Sequence, residues 1–308
     1  MHWNGRGRVE QAVVAYRDSV DRLMRPQNIR LTQNLVRLSY IHVRYLRDLD
    51  QAQREAIFAQ IIANTSRGQV EQDSGQLAEA QRWYELGLEI AATIDGHDDI
   101  KSNLYGSYAN LCRIQHRNDE AIFYSEKSAA IHQQQGNLHA LVLDAIDLCS
   151  IYVATYQFDK ATQHAEKSLH LAQTLNDPIL IASSALSASD VYLNAGFLDR
   201  AEQLAQLSVQ QEDSYTLPYG LVTLGQIHQK QGKWDESLQR LGESLDLAQA
   251  GQDRFLEALA HQTLALVYRD TQRLPEARTA TQAALALFTD MQLQHECDEI
   301  NQLLSQLV

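Results

Sequence analysis

The chain has 308 residues, a formal net charge of −13, four prolines, 7% aromatic residues and three cysteines. The acidic balance argues against general nucleic-acid binding. Widely spaced Cys112, Cys149 and Cys297 argue against a disulfide framework, and no apolar run reaches membrane-spanning length. Scarce proline with abundant Ala, Leu and Gln suits an all-helical chain, expected in the reducing cytoplasm.

Residues 1–8 have no apolar core after their basic residues, so they do not read as a secretory signal. Charge is uneven: residues 1–60 hold ten Arg, no Lys and six acids, against totals of 26 basic and 39 acidic residues. Helices are expected over 9–24 and 29–46, separated by the breaker Arg25-Pro26-Gln27-Asn28. Residues 1–50 therefore read as a degenerate, Arg-rich hairpin. Its register stays open, because Gly7-Arg8-Val9-Glu10-Gln11-Ala12 also resembles the start of a second helix, as in a truncated repeat of a longer protein.

From residue 51 the apolar periodicity gives helix pairs: 51–73 with 76–94, 100–115 with 118–135, 139–155 with 158–175, 178–195 with 198–211, 217–231 with 234–250, and 254–270 with 274–289. A final helix, about 293–307, carries Ile300, Leu303, Leu304 and Leu307 on one side and reads as a terminal cap. The domains are thus 1–50, a repeat array over 51–292, and a cap over 293–308. Gly96, Gly136 and Gly251 suit left-handed helix ends, and Asn176-Asp177-Pro178 a cap with a first-turn proline.

The pairs share a landmark. Small residues fall at 80, 121, 161, 201, 237 and 277, at intervals of 41, 40, 40, 36 and 40. The short interval lies at 212–218. Another small residue follows each landmark by seven, close to two helical turns, and one precedes it by twelve: Gly68, Ala109, Cys149, Ser189, Gly225 and Ala265. Such positions let neighbouring helices approach closely. Asp119, Asp159, Asp199 and Asp235, two before the landmark, are expected as N-caps.

A fixed period of this length marks a solenoid. The order of small, aromatic, Gly, apolar, Asp, Glu and Ala in Tyr192…Gly196-Phe197-Leu198-Asp199-Arg200-Ala201 and Gly225…Gly232-Lys233-Trp234-Asp235-Glu236-Ser237 resembles the tetratricopeptide repeat, over about residues 60–290. The longer period is similar to that of sensor arrays in MalT-type and NB-ARC-like regulators. The resemblance implies a right-handed α-solenoid of about seven helical hairpins plus the cap.

In that family the first helices line the inner groove. Carried over, the groove candidates are Asn110, Arg113, Ser150, Asp190, Asn194, Gln226, Lys230 and Arg269. Such amides, hydroxyls and charges bond an extended peptide backbone or a polyhydroxylated ligand. The several Lys/Arg with Asn of the family's carboxylate clamp are missing. Arg30, Arg37 and Arg44, seven apart, share one helix face and would dock an acidic partner; the alternative is an ordinary solvated face. His295 and Glu299 share a face, but two ligands do not complete a metal site. No phosphate-binding glycine loop, HExxH or GxSxG occurs, so no cofactor, metal or catalytic activity is expected. The expected function is a non-enzymatic scaffold for a protein or peptide in bacterial signalling or regulation. The alternative is a sensor module for a small-molecule or peptide effector; an enzyme is the least favoured reading.

Overall fold

The computed structural model describes residues 35–40, 49–94, 96, 98–291 and 293–307, and these form helices and turns with no strand among them. Residues 35–40 are helical. Thirteen further helices follow: α1 (Leu49–Asp73), α2 (Leu77–Ala91), α3 (Asp98–Ile114), α4 (Asn118–Gln135), α5 (Leu138–Ala154), α6 (Phe158–Leu175), α7 (Pro178–Asn194), α8 (Leu198–Val209), α9 (Thr216–Lys230), α10 (Trp234–Gly251), α11 (Arg254–Asp270), α12 (Leu274–Asp290) and α13 (Gln294–Gln306). The chain divides into two compact units, Met1–Asn137 and Leu138–Val308. In the first, α1 packs on α2 and α3 on α4; in the second, α5–α12 pair in the same way and α13 packs on α12. The architecture is an all-α solenoid of helical hairpins. The Arg-rich hairpin read for residues 1–50 lies largely outside the described residues, as do Arg30 and Arg44.

One turn is built six times. In the second unit, Gly196 N–H bonds Leu193 O and Phe197 N–H bonds Tyr192 O, so the first helix ends with its last carbonyls satisfied around a left-handed residue. The carbonyl of Phe197 then accepts from Ala201 N–H, which opens the second helix. The same three bonds recur at Gln76, Arg117, Gln157, Lys233 and Arg273. Thus the landmark small residue donates the first α-helical bond of each second helix.

This geometry corrects the expected caps. Asp119, Asp159 and Asp199 sit inside the first turn, and the cap positions are Arg117, Gln157 and Phe197, with no side-chain cap bond. Asp235 likewise follows the cap residue Lys233. The shared backbone turn already fixes the helix start, and the carboxylates act on the positive end of the helix dipole. Side-chain caps go to first helices instead. Asp177 Oδ1 accepts from Ile179 and Leu180 N–H at 2.9 and 3.2 Å, and Asp253 Oδ1 from Leu256 N–H at 3.0 Å. Gly251 is the last residue of α10, and Gln252 (φ 55°) adopts the left-handed conformation expected of that glycine, because Asp253 N–H reaches back to Ala248 O.

The second helices bury positions i, i+4, i+7 and i+11. Ala161, Ala165, Ser168 and Ala172 do so on α6; Ser237, Leu241, Ser244 and Ala248 on α10. Where the first helix carries glycine, the facing side chain is large. A Cβ on Gly68 would lie 2.6 Å from Tyr84 Cε1, and one on Gly225 2.7 Å from Leu241 Cγ. Where the first helix has Ala109, Cys149, Ser189 or Ala265, the equivalent partner position holds the smaller Ser125, Ala165, Ala205 or Thr281, all buried. Close packing therefore shares volume between the two helices of a hairpin.

A polar rivet crosses the same contact. Ser189 Oγ donates to Ala201 O at 2.8 Å, and Ser237 Oγ donates in the opposite direction, to Gly225 O at 2.6 Å. Cys149 Sγ approaches Ala161 O at 3.4 Å. Burial pushes the Cys149 thiol up to about 12 and the Cys112 thiol to about 11, so both behave as packing groups.

At the end of the second unit, α13 buries Cys297, Ile300 and Leu303, with Leu307 just beyond it. Arg278 donates to Leu307 O through Nε (2.8 Å) and Nη2 (2.6 Å), satisfying a carbonyl at the helix end. No helix among the described residues is long and apolar enough to cross a membrane.

Candidate functional site

In the second unit, first helices α5, α7 and α9 line a cleft of about 490 Å3, with Leu259 of α11 at its edge. Helix α7 supplies a polar stripe on one face: Ser183, Ser187, Asp190 and Asn194, at helical spacings of four, three and four. Helix α9 contributes Thr216, Tyr219, Thr223 and Gln226, and α5 contributes Ile146, Ser150 and Val153. Leu186, Val191, Leu193 and Val222 form apolar wall between them.

The short interval in the sequence has a local consequence. Helix α8 has 12 residues, whereas its counterparts α6 and α10 have 18. The chain leaves it early, passes Glu212 (φ 52°), and Asp213 Oδ2 ties down the start of α9 by accepting from Thr216 N–H at 2.8 Å and Thr216 Oγ1 at 2.9 Å. Tyr215 is left 73% exposed at the cleft rim, its ring 5.7 Å from that of Tyr219.

Asp190 is the one charged side chain among the lining residues. Its Oδ1 accepts from Thr223 Oγ1 at 3.2 Å. Burial pushes its carboxyl up to about 6 from an ordinary 3.8, and the Thr223 hydrogen bond pulls back against that rise. Tyr219 Oη donates to Asp253 Oδ2 at 2.8 Å, which ties the cleft to the cap of α11.

Four of the sequence candidates meet here: Ser150, Asp190, Asn194 and Gln226. The others lie elsewhere. Asn110 and Arg113 belong to the first unit and bond each other, Arg113 Nη2 donating to Asn110 Oδ1 at 2.9 Å. Lys230 is exposed at the end of α9. Arg269 is held by Asp270, which accepts from its Nε and Nη2 at 2.9 and 2.8 Å. Arg37 is exposed on the helical stretch 35–40. Sequence reasoning missed Ser183, Ser187, Thr223, Tyr215 and Tyr219. The signal was present: 183, 187, 190 and 194 form one polar stripe on a helix that is otherwise largely apolar.

The metal-ligand types near the C-terminus do not converge. His295 Nδ1 is 4.0 Å from Glu299 Oε1 on the exposed side of α13, while Cys297 is buried with its Sγ 3.6 Å from Thr289 Oγ1. Among the described residues no three His, Cys, Asp or Glu gather as a metal site.

The tetratricopeptide repeat model matches residues 59–134 and 219–290. No curated protein matches the sequence. Among solved structures, the chain is similar to a Rap protein complexed with competence and sporulation factor (TM-score 0.64, 13% identity, 98% of this chain and 97% of that one). It is also similar to aspartyl phosphate phosphatase F from Bacillus subtilis (TM-score 0.65, 13% identity, 98% and 90%). A third is a plasmid Rap conjugation gene regulator in complex with a Phr peptide (TM-score 0.58, 9% identity, 97% and 95%). At these identities the likeness concerns the fold. The two matched regions are tetratricopeptide repeats, and the same landmarks and the same turn recur in the segment between them.

Proposed function

We propose that the chain is a non-enzymatic binding module of a bacterial signalling or regulatory system, and that the α5–α7–α9 cleft takes a segment of an extended peptide. The observation that carries this reading is the cleft itself. It pairs apolar wall with evenly spaced hydroxyl and amide groups on rigid helices, the arrangement that fixes a ligand's position without chemistry. Two structures of the same fold hold a factor or a peptide, which supports the reading by analogy of fold. A third carries the name of a phosphatase. The cleft in this chain has a single carboxylate and no Lys, Arg or His among its lining residues, so binding accounts for it better than catalysis.

The test is a fluorescence-anisotropy screen of an immobilisation-free peptide library against the wild-type chain and the Asn194→Ala/Gln226→Ala double variant. Peptides held by the cleft lose affinity in the double variant while its melting curve stays unchanged. Peptides that bind both proteins equally would move the site off the cleft.

A sensor for a small-molecule effector is the second reading, favoured by a cleft volume within the range of small-ligand pockets. It adds one requirement: the ligand must prefer one of two conformations. Solution scattering with and without ligand separates a sensor, whose dimensions change, from a scaffold, whose dimensions do not.

A further inference from the structure

We infer that the cleft selects a cation rich in hydrogen-bond donors, a guanidinium or ammonium group, which seats on Asp190. This deepens the binding reading above and rests on it only for the nature of the molecule that carries the cation.

The argument is an account of donors and acceptors. Most hydroxyl and amide donors of the cleft are already engaged within the protein. Ser150 Oγ donates to Ile146 O at 3.4 Å and Ser183 Oγ to Ile179 O at 3.0 Å, each back into its own helix. Asn194 Nδ2 donates to Asp190 O at 2.8 Å. Thr223 Oγ1 donates to Asp190 Oδ1, and Tyr219 Oη to Asp253. Gln226 Nε2 points to Thr263 Oγ1 at 3.5 Å. What these bonds leave is weighted toward acceptors: Asp190 Oδ2, the Asn194 and Gln226 amide oxygens and the lone pairs of Ser150 and Ser183, against the second N–H of each amide and the Tyr215 hydroxyl at the rim.

A ligand that brought only acceptors would set oxygen against the Asp190 carboxylate. A ligand with several N–H donors and a positive charge completes the set, and a carboxylate that accepts charge-assisted bonds supplies the orientation. No Lys, Arg or His lines the cleft to compete for Asp190. The other titratable groups around it are the Cys149 thiol on α5 and the Tyr219 phenol on α9, both pushed up by burial and so uncharged at neutral pH, and Tyr215 at the rim. Raising the carboxyl's proton affinity by burial is the cost of holding a charge here without a built-in partner, and a bound cation removes it. The volume fits one long side chain with adjoining backbone, or a small diamine.

The experiment is calorimetric titration of the full chain at pH 7.5 with five probes. Three are blocked pentapeptides, Ala-Ala-X-Ala-Ala with X as arginine, citrulline or glutamate; the fourth is the lysine version; the fifth is agmatine, a guanidinium without a peptide. The wild-type chain should bind the arginine or lysine peptide at least tenfold more tightly than the citrulline and glutamate peptides. Asp190→Asn, which keeps the shape, should abolish that preference. Asp190→Glu, which keeps the charge, should retain part of it. Equal binding of neutral and cationic peptides would overturn the inference and leave the peptide reading standing. Agmatine binding lost in Asp190→Asn, with every pentapeptide silent, would support the cation and overturn the peptide. Silence from all five probes, or a cation preference that survives Asp190→Asn, would overturn the assignment to this cleft.

Discussion

Gly225 and Leu241 offer the most direct test of how the hairpins pack. Both are buried, and a Cβ on Gly225 would sit 2.7 Å from Leu241 Cγ and Cδ2. Gly225→Ala gains up to about 1 kcal/mol of helix propensity, but it overpacks a filled contact at a cost of about 1–3 kcal/mol, so it should destabilise the wild-type chain. Leu241→Ala should cost about 2–5 kcal/mol through lost burial and the cavity it leaves. In that background the clash is gone. Gly225→Ala should then raise stability by about 1 kcal/mol, its sign reversed. The assay is urea unfolding of the four proteins, compared at equal slope. A coupling energy of about 1–3 kcal/mol is expected. Additivity within about 0.5 kcal/mol, or destabilisation by Gly225→Ala in both backgrounds, would refute the volume-sharing account.

Ser189→Ala removes the bond to Ala201 O and should cost about 1 kcal/mol. Ser208→Ala, whose Oγ is buried without a hydrogen-bond partner, should be neutral or stabilising; thermal melts of the two variants distinguish a rivet from a filler. Tyr156 holds φ 57° at a turn where three other repeats use glycine, and it is 82% exposed, so Tyr156→Gly should stabilise by about 0.5–1 kcal/mol in a melt. Ala201→Leu adds bulk at a fully buried landmark and should cost about 1–3 kcal/mol, read in the same way. Asp190 is protonated more readily in the folded chain than in the unfolded one. Its contribution is therefore fully present below about pH 4 and lost as pH rises through about 6. Asp190→Asn should stabilise the chain at pH 7.5 by on the order of 2 kcal/mol and by nothing at pH 4, measured by denaturant midpoints at both values.

The hairpins were legible because their periodicity is written in residue size. The small residues at 161 and 168, or at 201 and 208, could face only another helix, and their burial follows from that. Helix ends fell within a few residues of the observed ones. The cap roles of Asp119, Asp159, Asp199 and Asp235 were not legible, because the turn that replaces them is made by backbone groups that every residue carries. His116, Tyr156 and Gln272 occupy the left-handed position that Gly75, Gly196 and Gly232 hold in the other turns, so no residue type announces it. In the cleft, the choice of Asp190, Asn194, Ser150 and Gln226 came from a position in the repeat. Tyr215 and Tyr219 escaped that rule: Tyr215 lies on the segment that a shortened α8 releases, and Tyr219 lies on the helix that follows it. Lys230 and Arg269 satisfied the positional rule, yet the α9 end leaves one in solvent and Asp270 holds the other.

The opposite polarities of the Ser189–Ala201 and Ser237–Gly225 bonds constrain how such an array can be recombined. A crossover within the hairpins that joined α7 to α10 would bring Ser189 against Ser237, two hydroxyls in a contact that now holds one, and would set the Ser189 side chain against Leu241 where Gly225 leaves room. The reciprocal product would pair Gly225 with Ala201 and Ala205, with no hydroxyl and a void in place of Leu241. Exchange of complete hairpins keeps each matched pair together. Duplications and deletions in the lineage of this chain should accordingly have breakpoints in the loops that join one hairpin to the next, and engineered chimaeras should fold when cut there and fail when cut at the turn inside.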